Sequence, residues 1–134
     1  LLGMKTEQVN IKDWYFEGGI KTAAGKYRIV PIHDRIKPFV KALVDEGDKY
    51  LFTYQGKKFS QANYYKCWGE VMEKIGADKT PHEARHTFET NLDNAKGNRK
   101  CIDMLMGHKS KDVGNRVYNH KTIEQLRETI ALLK

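Results

Sequence analysis

Cysteine is scarce in this sequence, and long apolar runs are missing from it. Only Cys67 and Cys101 occur among 134 residues, and neither belongs to a CxxC or zinc-finger spacing. Such a pair indicates neither a disulfide framework nor a structural zinc site, and a reducing, cytoplasmic compartment fits it best. No apolar stretch approaches the roughly 20 residues that cross a bilayer, and no charged-then-apolar leader begins the chain. We therefore expect neither a membrane span nor export.

Acidic residues are outnumbered by basic ones. The chain has 17 Asp and Glu against 24 Lys and Arg, a formal net charge of +7. This excess favours an anionic partner such as nucleic acid. With 40% apolar residues, a chain of this length is expected to fill one core and form one compact domain.

The chain has no initiator methionine, and its first four residues, Leu-Leu-Gly-Met, read like the last turn of a helix. We therefore expect that this chain is a later part of a longer protein.

The first third of the chain predicts a small antiparallel sheet. Short β-rich runs cover residues 14–16, 19–22 and 27–32, and the second and third are expected to form a hairpin. Everything after residue 47 reads as helical. The predicted fold class is α+β, a mainly helical domain with a small three-stranded antiparallel sheet on one edge.

Six helices are predicted from start and stop signals. They cover residues 38–46, 61–75, 81–96, 99–106, 110–118 and a last segment from 122. Thr80-Pro81 with Glu83 combines an N-cap, a proline in the first turn and a capping-box glutamate, so the third helix has the most secure start. The second helix is expected to face the core with a stripe of Tyr65, Trp68, Met72 and Ile75.

His82 and Arg85 lie three residues apart in the first turn of the third predicted helix. They share a helix face, and the helix N-terminus adds unpaired N–H groups and a positive dipole. This combination predicts an anion site. A second candidate is Gly107-His108, where a helix-ending glycine places a histidine on a turn. Tyr118 follows ten residues later.

Three segments carry a family pattern. They read Thr-Pro-His-Glu-Ala-Arg-His-Thr-Phe at 80–88, Leu-Met-Gly-His-Lys-Ser at 105–110 and Val-Tyr-Asn-His-Lys-Thr at 117–122. In order, spacing and flanking residues they resemble the carboxyl-terminal motifs of the tyrosine recombinase (phage integrase) family. Residues 19–32 resemble that family's β-hairpin, with Lys21 at the position of its catalytic lysine.

The resemblance implies a site-specific recombinase or integrase of a phage or mobile element, acting through a 3′-phosphotyrosyl intermediate. Tyr118 is then the nucleophile, Arg85 and His108 hold the phosphate, His82 assists proton transfer and Lys21 protonates the leaving hydroxyl. No metal or cofactor is expected. The partner is double-stranded DNA in the cytoplasm, at the nucleoid of a bacterial cell.

The resemblance also implies parts that the chain lacks. Residues 1–134 would be a catalytic domain without its first helices and without an N-terminal DNA-clamping domain. The family has a further essential arginine in a helix that would end just before Leu1, so we expect that this polypeptide alone recombines nothing. Gly114, unusual ahead of the nucleophile, is expected to loosen its segment.

The last predicted helix presents an apolar stripe of Ile123, Leu126, Ile130 and Leu133. In the resembled family such a segment often packs on a neighbouring protomer, so residues 122–134 are expected either to dock on another protomer of a synaptic complex or to cover their own core.

Three other interpretations compete. His82 and His86, four apart on a helix, have the spacing of two zinc ligands, although HExxH is absent and Arg85 would place a positive charge beside the ion. We regard His86 more simply as a core histidine or as one that supports the site. A DNA-binding module without chemistry, or a type IB topoisomerase that relaxes DNA, would use the same basic surface.

Overall fold

The computed structural model describes residues 2–18, 28–108 and 120–134, and side chains in the last range from Thr122 onward. Three strands, β1 (Val9–Asn10), β2 (Tyr15–Glu17) and β3 (Ile29–Pro31), form one antiparallel sheet in the order β1-β2-β3. β2 is the central strand, and its Phe16 is paired with Val9 on one side and with Val30 on the other.

The sheet confirms two of the predicted β-rich runs. The first and third runs, found as β2 and β3, pair with each other, and β1 was not predicted. The run at 19–22, and with it the hairpin it was expected to form, lies outside the described residues.

The sheet packs with the first helix, α1 (Lys37–Asp45), over one apolar cluster. Proline stands in the first turn of α1, as predicted. The buried members of the cluster come from the chain start, the sheet, α1 and the segment after it: Met4, Val9, Ile32, Val40 and Leu51. Phe39 points away, with 70% of its surface exposed.

A second hairpin interrupts the region that was expected to be wholly helical. Strands β4 (Thr53–Tyr54) and β5 (Lys57–Lys58) pair across Gln55-Gly56, and both turn residues have positive φ angles, 51° and 73°. Two successive positive φ values are typical of the tight turns that match the twist of paired strands. The prediction of helix throughout this region was therefore wrong.

Helix α2 (Gln61–Ile75) has the predicted bounds but not the predicted orientation. Ser60 caps it by accepting a hydrogen bond from the Asn63 amide, and Gly76 ends it in the left-handed conformation. However, Tyr65 is 53% and Ile75 64% exposed. The expectation of a core-facing stripe through these two residues was wrong, because periodicity identifies an apolar face but not what covers it.

A neighbouring face of α2 carries its apolar contacts. It lines a groove with the β4–β5 hairpin, formed by Phe52, Phe59, Tyr64, Cys67, Trp68 and Val71, and by Leu2. Trp68 also donates its indole N–H to the carbonyl of Lys79, which ties α2 to the residues that precede the next helix.

Helices α3 (Pro81–Asn94), α4 (Arg99–Met106) and α5 (His120–Ile130) enclose the second apolar cluster. Its buried members are Leu92, Cys101, Ile102, Leu105, Met106, Leu126 and Ile130. The bounds of α4 are as predicted, α3 ends two residues early, and α5 begins two residues before Thr122. The predicted helix at 110–118, with Gly114, lies outside the described residues.

Helix α5 covers the core of its own chain. It packs against α4 and β3, and Leu126 is fully buried. Beyond the helix, the Leu133 carbonyl lies 3.0 Å from Nε2 of His33, and Arg127 donates to the carbonyl of Asp13. Of the two placements expected for residues 122–134, the structure thus has the one within the chain.

The predicted α+β class is confirmed: the domain is mainly helical with a small three-stranded antiparallel sheet. Within residues 2–18, 28–108 and 120–134, no helix combines the length and apolar character that crossing a membrane requires.

Replacing Leu126 with alanine tests how much α5 contributes to its own core. The side chain is 0% exposed, so the cavity should lower the free energy of unfolding by about 3 kcal/mol. Leu132→Ala is the control, because Leu132 is 39% exposed and should cost less than about 1 kcal/mol. Urea unfolding measures both, and equal losses would contradict packing of α5 on this chain.

Candidate functional site

The first turn of α3 is fixed by a reciprocal cap. The amide of Glu83 donates to the Thr80 hydroxyl oxygen at 3.2 Å, and the Thr80 amide donates to the Glu83 carboxylate at 2.8 Å. The Thr80 amide, the Thr80 hydroxyl and Lys79 together hold the pKa of Glu83 below its ordinary value. The capping box is as predicted, and it fixes the direction in which the side chains of this turn project.

His82, Arg85 and His86 lie along one side of this turn, and all three are exposed. The Nε2 atoms of His82 and His86 are 3.0 Å apart, and the two rings meet edge to face with centroids 4.5 Å apart. His86 is therefore not a core residue, and that part of the expectation was wrong. The other part, a residue that supports the site, stays a prediction, and His86 lies beside His82.

Arg85 joins the start of α3 to the end of α4. Its Nη2 donates to the backbone carbonyl of Met106 at 2.5 Å. A guanidinium has five N–H donors in a rigid plane, so this contact uses one of them and orients the rest. Because Met106 is two residues before His108, the contact brings the two predicted phosphate-binding side chains to one junction.

His108 lies just after α4, on the turn that ends this helix at Gly107. Gly107 has a φ of 71°, in the left-handed region, and the amide of His108 donates to the carbonyl of Asp103 at 3.0 Å. Arg28, just before β3, packs against Gly107 so closely that a Cβ atom there would collide with its guanidinium. The positive φ therefore favours glycine here, and a Cβ would in addition displace the end of the Arg28 side chain.

His108 faces a network of charged side chains between α3 and α4. Its Nδ1 lies 3.6 Å from a carboxylate oxygen of Asp103, and 43% of its side chain is exposed. Arg99 holds that carboxylate at 2.9 Å and also pairs with Glu89 at 2.7 Å and Asp93 at 3.0 Å. The hydrogen bond with Glu89, followed by Asp103 and Asp93, raises the pKa of Arg99. The network presents Asp103 to His108 from a fixed direction.

The same carboxylates bear on the zinc interpretation. In the described part of the chain, one group of side chains could converge on a metal ion, namely Glu89, Asp103 and His108, whose ligand atoms lie within 4.8 Å of one another. Arg99 already neutralises the two carboxylates. The group does not include His82 or His86, the pair on which the zinc interpretation depended.

The two remaining predicted site residues, Lys21 and Tyr118, lie outside the described residues. The segments that contain them join the described chain at this junction. Residues 19–27 run into Arg28, which packs on Gly107, and residues 109–119 follow His108 directly.

Sequence reasoning missed Arg28, Asp103 and Arg99 as parts of the site. Their contacts with Gly107 and His108 depend on how β3, α3 and α4 pack, and no spacing along the chain indicates them. Arg28 belongs to the segment that resembles the family's β-hairpin. The sequence alone does not reveal that its side chain lies against the turn of Gly107 and His108.

A helix N-terminus that bears histidine and arginine here meets a glycine-histidine turn, and such donors suit an anion. The chain belongs to the phage integrase family, whose profile matches residues 1–125. The resemblance found in the motifs is thereby confirmed.

Individual relatives are named tyrosine recombinases. The chain is 28% identical to tyrosine recombinase XerA of Pyrococcus horikoshii over 144 residues, which cover 100% of this chain and 49% of that protein. It is 29% identical to XerA of Thermococcus kodakarensis over 77% of this chain and 39% of that protein. It is 28% identical to XerC of Haemophilus influenzae over 78% of this chain and 35% of that protein. The chain thus spans half or less of these relatives, and no solved structure matches it.

Replacing Gly107 with alanine tests the fit of the α4 end against Arg28. Gly76→Ala is a matched control, because Gly76 also ends a helix with positive φ but has nothing within 4 Å of its Cβ position. Left-handed strain should cost both variants about 1 kcal/mol, and Gly107→Ala should lose more because Arg28 must move. Losses of equal size in urea unfolding would mean that the contact with Arg28 does not constrain this turn.

Proposed function

We propose that the protein is a site-specific DNA recombinase that cleaves and rejoins double-stranded DNA through a 3′-phosphotyrosyl intermediate on Tyr118. The observation that supports this most is the contact of Arg85 with the Met106 carbonyl, since it brings the anion-binding turn of α3 to the turn that carries His108. Family membership and the names of the relatives agree with it.

The roles follow from the charge of the reaction. A phosphodiester gains negative charge as it becomes pentacoordinate, so donors must surround it. Arg85 would hold two phosphate oxygens with the donors that the Met106 carbonyl leaves. With a proton on both ring nitrogens, His108 would face Asp103 with its Nδ1–H and donate its Nε2–H to the phosphate. Each such donor contributes about 3 kcal/mol to the transition state.

The covalent step is balanced by two proton transfers. The phenol oxygen of Tyr118 forms a bond to phosphorus while its proton moves to His82. The bond from phosphorus to the 5′ oxygen breaks, and that oxygen takes a proton from Lys21. Rejoining runs the same steps in reverse, so the bond energy is kept in the phosphotyrosine.

Several finer points belong to the proposal. A phage or mobile-element origin, the cytoplasm and nucleoid as location, and other protomers as partners are carried over from the motifs. The relatives named above are XerA and XerC proteins, whose names mention no phage. Docking of residues 122–134 on another protomer would require α5 to leave the core described above, and exposing its buried Leu126 opposes that exchange.

Covalent capture of DNA tests the proposal. The full-length protein is mixed with nicked duplexes of random sequence, and the molecules that resist separation in detergent are recovered and sequenced. We expect an adduct in which the peptide containing Tyr118 carries a 3′ phosphate, because the nick lets the cleaved strand leave before rejoining.

Tyr118→Phe is the control, which should abolish the adduct and leave DNA affinity nearly unchanged. An adduct that persists in this variant would refute the assignment of the nucleophile. The recovered sequence then serves as a paired target: exchange of strands between two sites indicates a recombinase, whereas relaxation of supercoils without exchange indicates a topoisomerase. Binding without any adduct indicates a DNA-binding module.

Cleavage should not depend on a divalent metal ion. Lys21, His82, Arg85 and His108 would supply the positive charge that metal ions supply in other phosphoryl-transfer sites. We expect the same yield of adduct in EDTA as in buffer with magnesium. A yield that falls in EDTA and returns on adding zinc would instead support the metal interpretation.

A further inference from the structure

His86 is a conspicuous neighbour of the proposed site that has no role in the mechanism above. It lies one turn after His82 on α3, and the Nε2 atoms of the two rings are 3.0 Å apart. Both rings are exposed, so their contact is not forced by packing in the core. The distance is that of a hydrogen bond.

Two imidazoles can form this bond in only one kind of proton arrangement. One Nε2 must carry a proton and the other must offer a lone pair, since two N–H groups would repel each other and two lone pairs would not bind. In a neutral ring, the proton absent from Nε2 stands on Nδ1. The contact therefore couples the tautomer of His82 to that of His86.

The charged side chains of the same turn are engaged elsewhere. Glu83 is held by Thr80 and Lys79, and Arg85 by the Met106 carbonyl. They therefore leave the two imidazoles to contact each other.

We propose that His86 is a positioning residue for His82. His82 donates its Nε2–H to the Nε2 lone pair of His86, which leaves Nδ1 of His82 as the atom that accepts the proton of the nucleophile. The inference rests on the proposed function, in which His82 takes that proton. It adds which nitrogen acts and what holds the ring in place.

The contact would also strengthen as the reaction proceeds. When Nδ1 of His82 takes up a proton, the ring becomes an imidazolium and its hydrogen bond to His86 becomes charge-assisted, which roughly doubles its strength. Only an interaction stronger in the transition state than in the ground state accelerates the chemical step. His86 would thus raise the cleavage rate without touching DNA.

Nitrogen-15 NMR of the imidazole rings tests the tautomers without any DNA. In the full-length protein at a pH where both rings are neutral, we expect His86 to carry its proton on Nδ1 and His82 on Nε2. In the His82→Ala variant, His86 should revert to the Nε2–H form that an unconstrained neutral imidazole favours. A proton on Nε2 of His86 in both proteins would overturn the proposal.

Cleavage rates provide the second test, on the duplex recovered by covalent capture. His86→Leu should slow adduct formation about tenfold, and His86→Gln, whose amide oxygen can accept the same hydrogen bond, should stay within about threefold of the wild type. Thr90→Val, an exposed change one turn further along α3, is the control and should have no effect.

The outcomes distinguish a wrong role for His86 from a wrong role for His82. If His82→Ala is inactive and His86→Leu is as fast as the wild type, this inference is wrong and the proposed function stands. If His82→Ala cleaves normally, the proposed role of His82 is wrong, even where the NMR shows the paired tautomers. Equal slowing by leucine and glutamine would also contradict a hydrogen-bonding role. Circular dichroism checks that each variant is folded.

Discussion

The hydrogen bond from Arg85 to the carbonyl of Met106 is the contact on which the site depends. It joins the positive end of α3 to the carbonyl end of α4, where the charges of two helix dipoles are opposite. A guanidinium placed there satisfies a helix carbonyl and still presents donors outward. The packing of the three C-terminal helices over Leu92 and Ile102, both fully buried, holds the two helix ends at this separation.

Gly107 and Arg28 are in contact at the same junction. A side chain on residue 107 would have to displace the Arg28 guanidinium, so glycine allows this close contact between the α4 end and the residue before β3. The sheet, which contacts α5 through β3, is thereby linked to the turn that carries His108. Two arginines from distant parts of the chain thus flank one glycine-histidine turn, which adds positive charge where a phosphate would bind.

Helix ends could be predicted from the sequence where local signals decide them. Thr80 with Glu83, Ser60 with Gly76, and Gly107 fix helix ends through hydrogen bonds a few residues apart, and those ends lie where they were predicted. The assignment of His82, Arg85 and His108 to the site rests on the same signals together with the family motifs and stays a prediction. Prediction failed where a third element decides: Tyr65 is apolar and correctly spaced, yet exposed, because nothing in the described structure covers that side of α2. Asp103 and Arg28 join the site only through packing between elements.

We propose that the start of α3 and the end of α4 together form one site for a scissile phosphate. A crystal structure of the full-length Tyr118→Phe protein on its recovered duplex tests it most directly. One backbone phosphate should lie within hydrogen-bond distance of both the Arg85 guanidinium and Nε2 of His108, with the bond from Arg85 to Met106 retained. A phosphate bound elsewhere, with Arg85 and His108 turned away from the DNA, would contradict it.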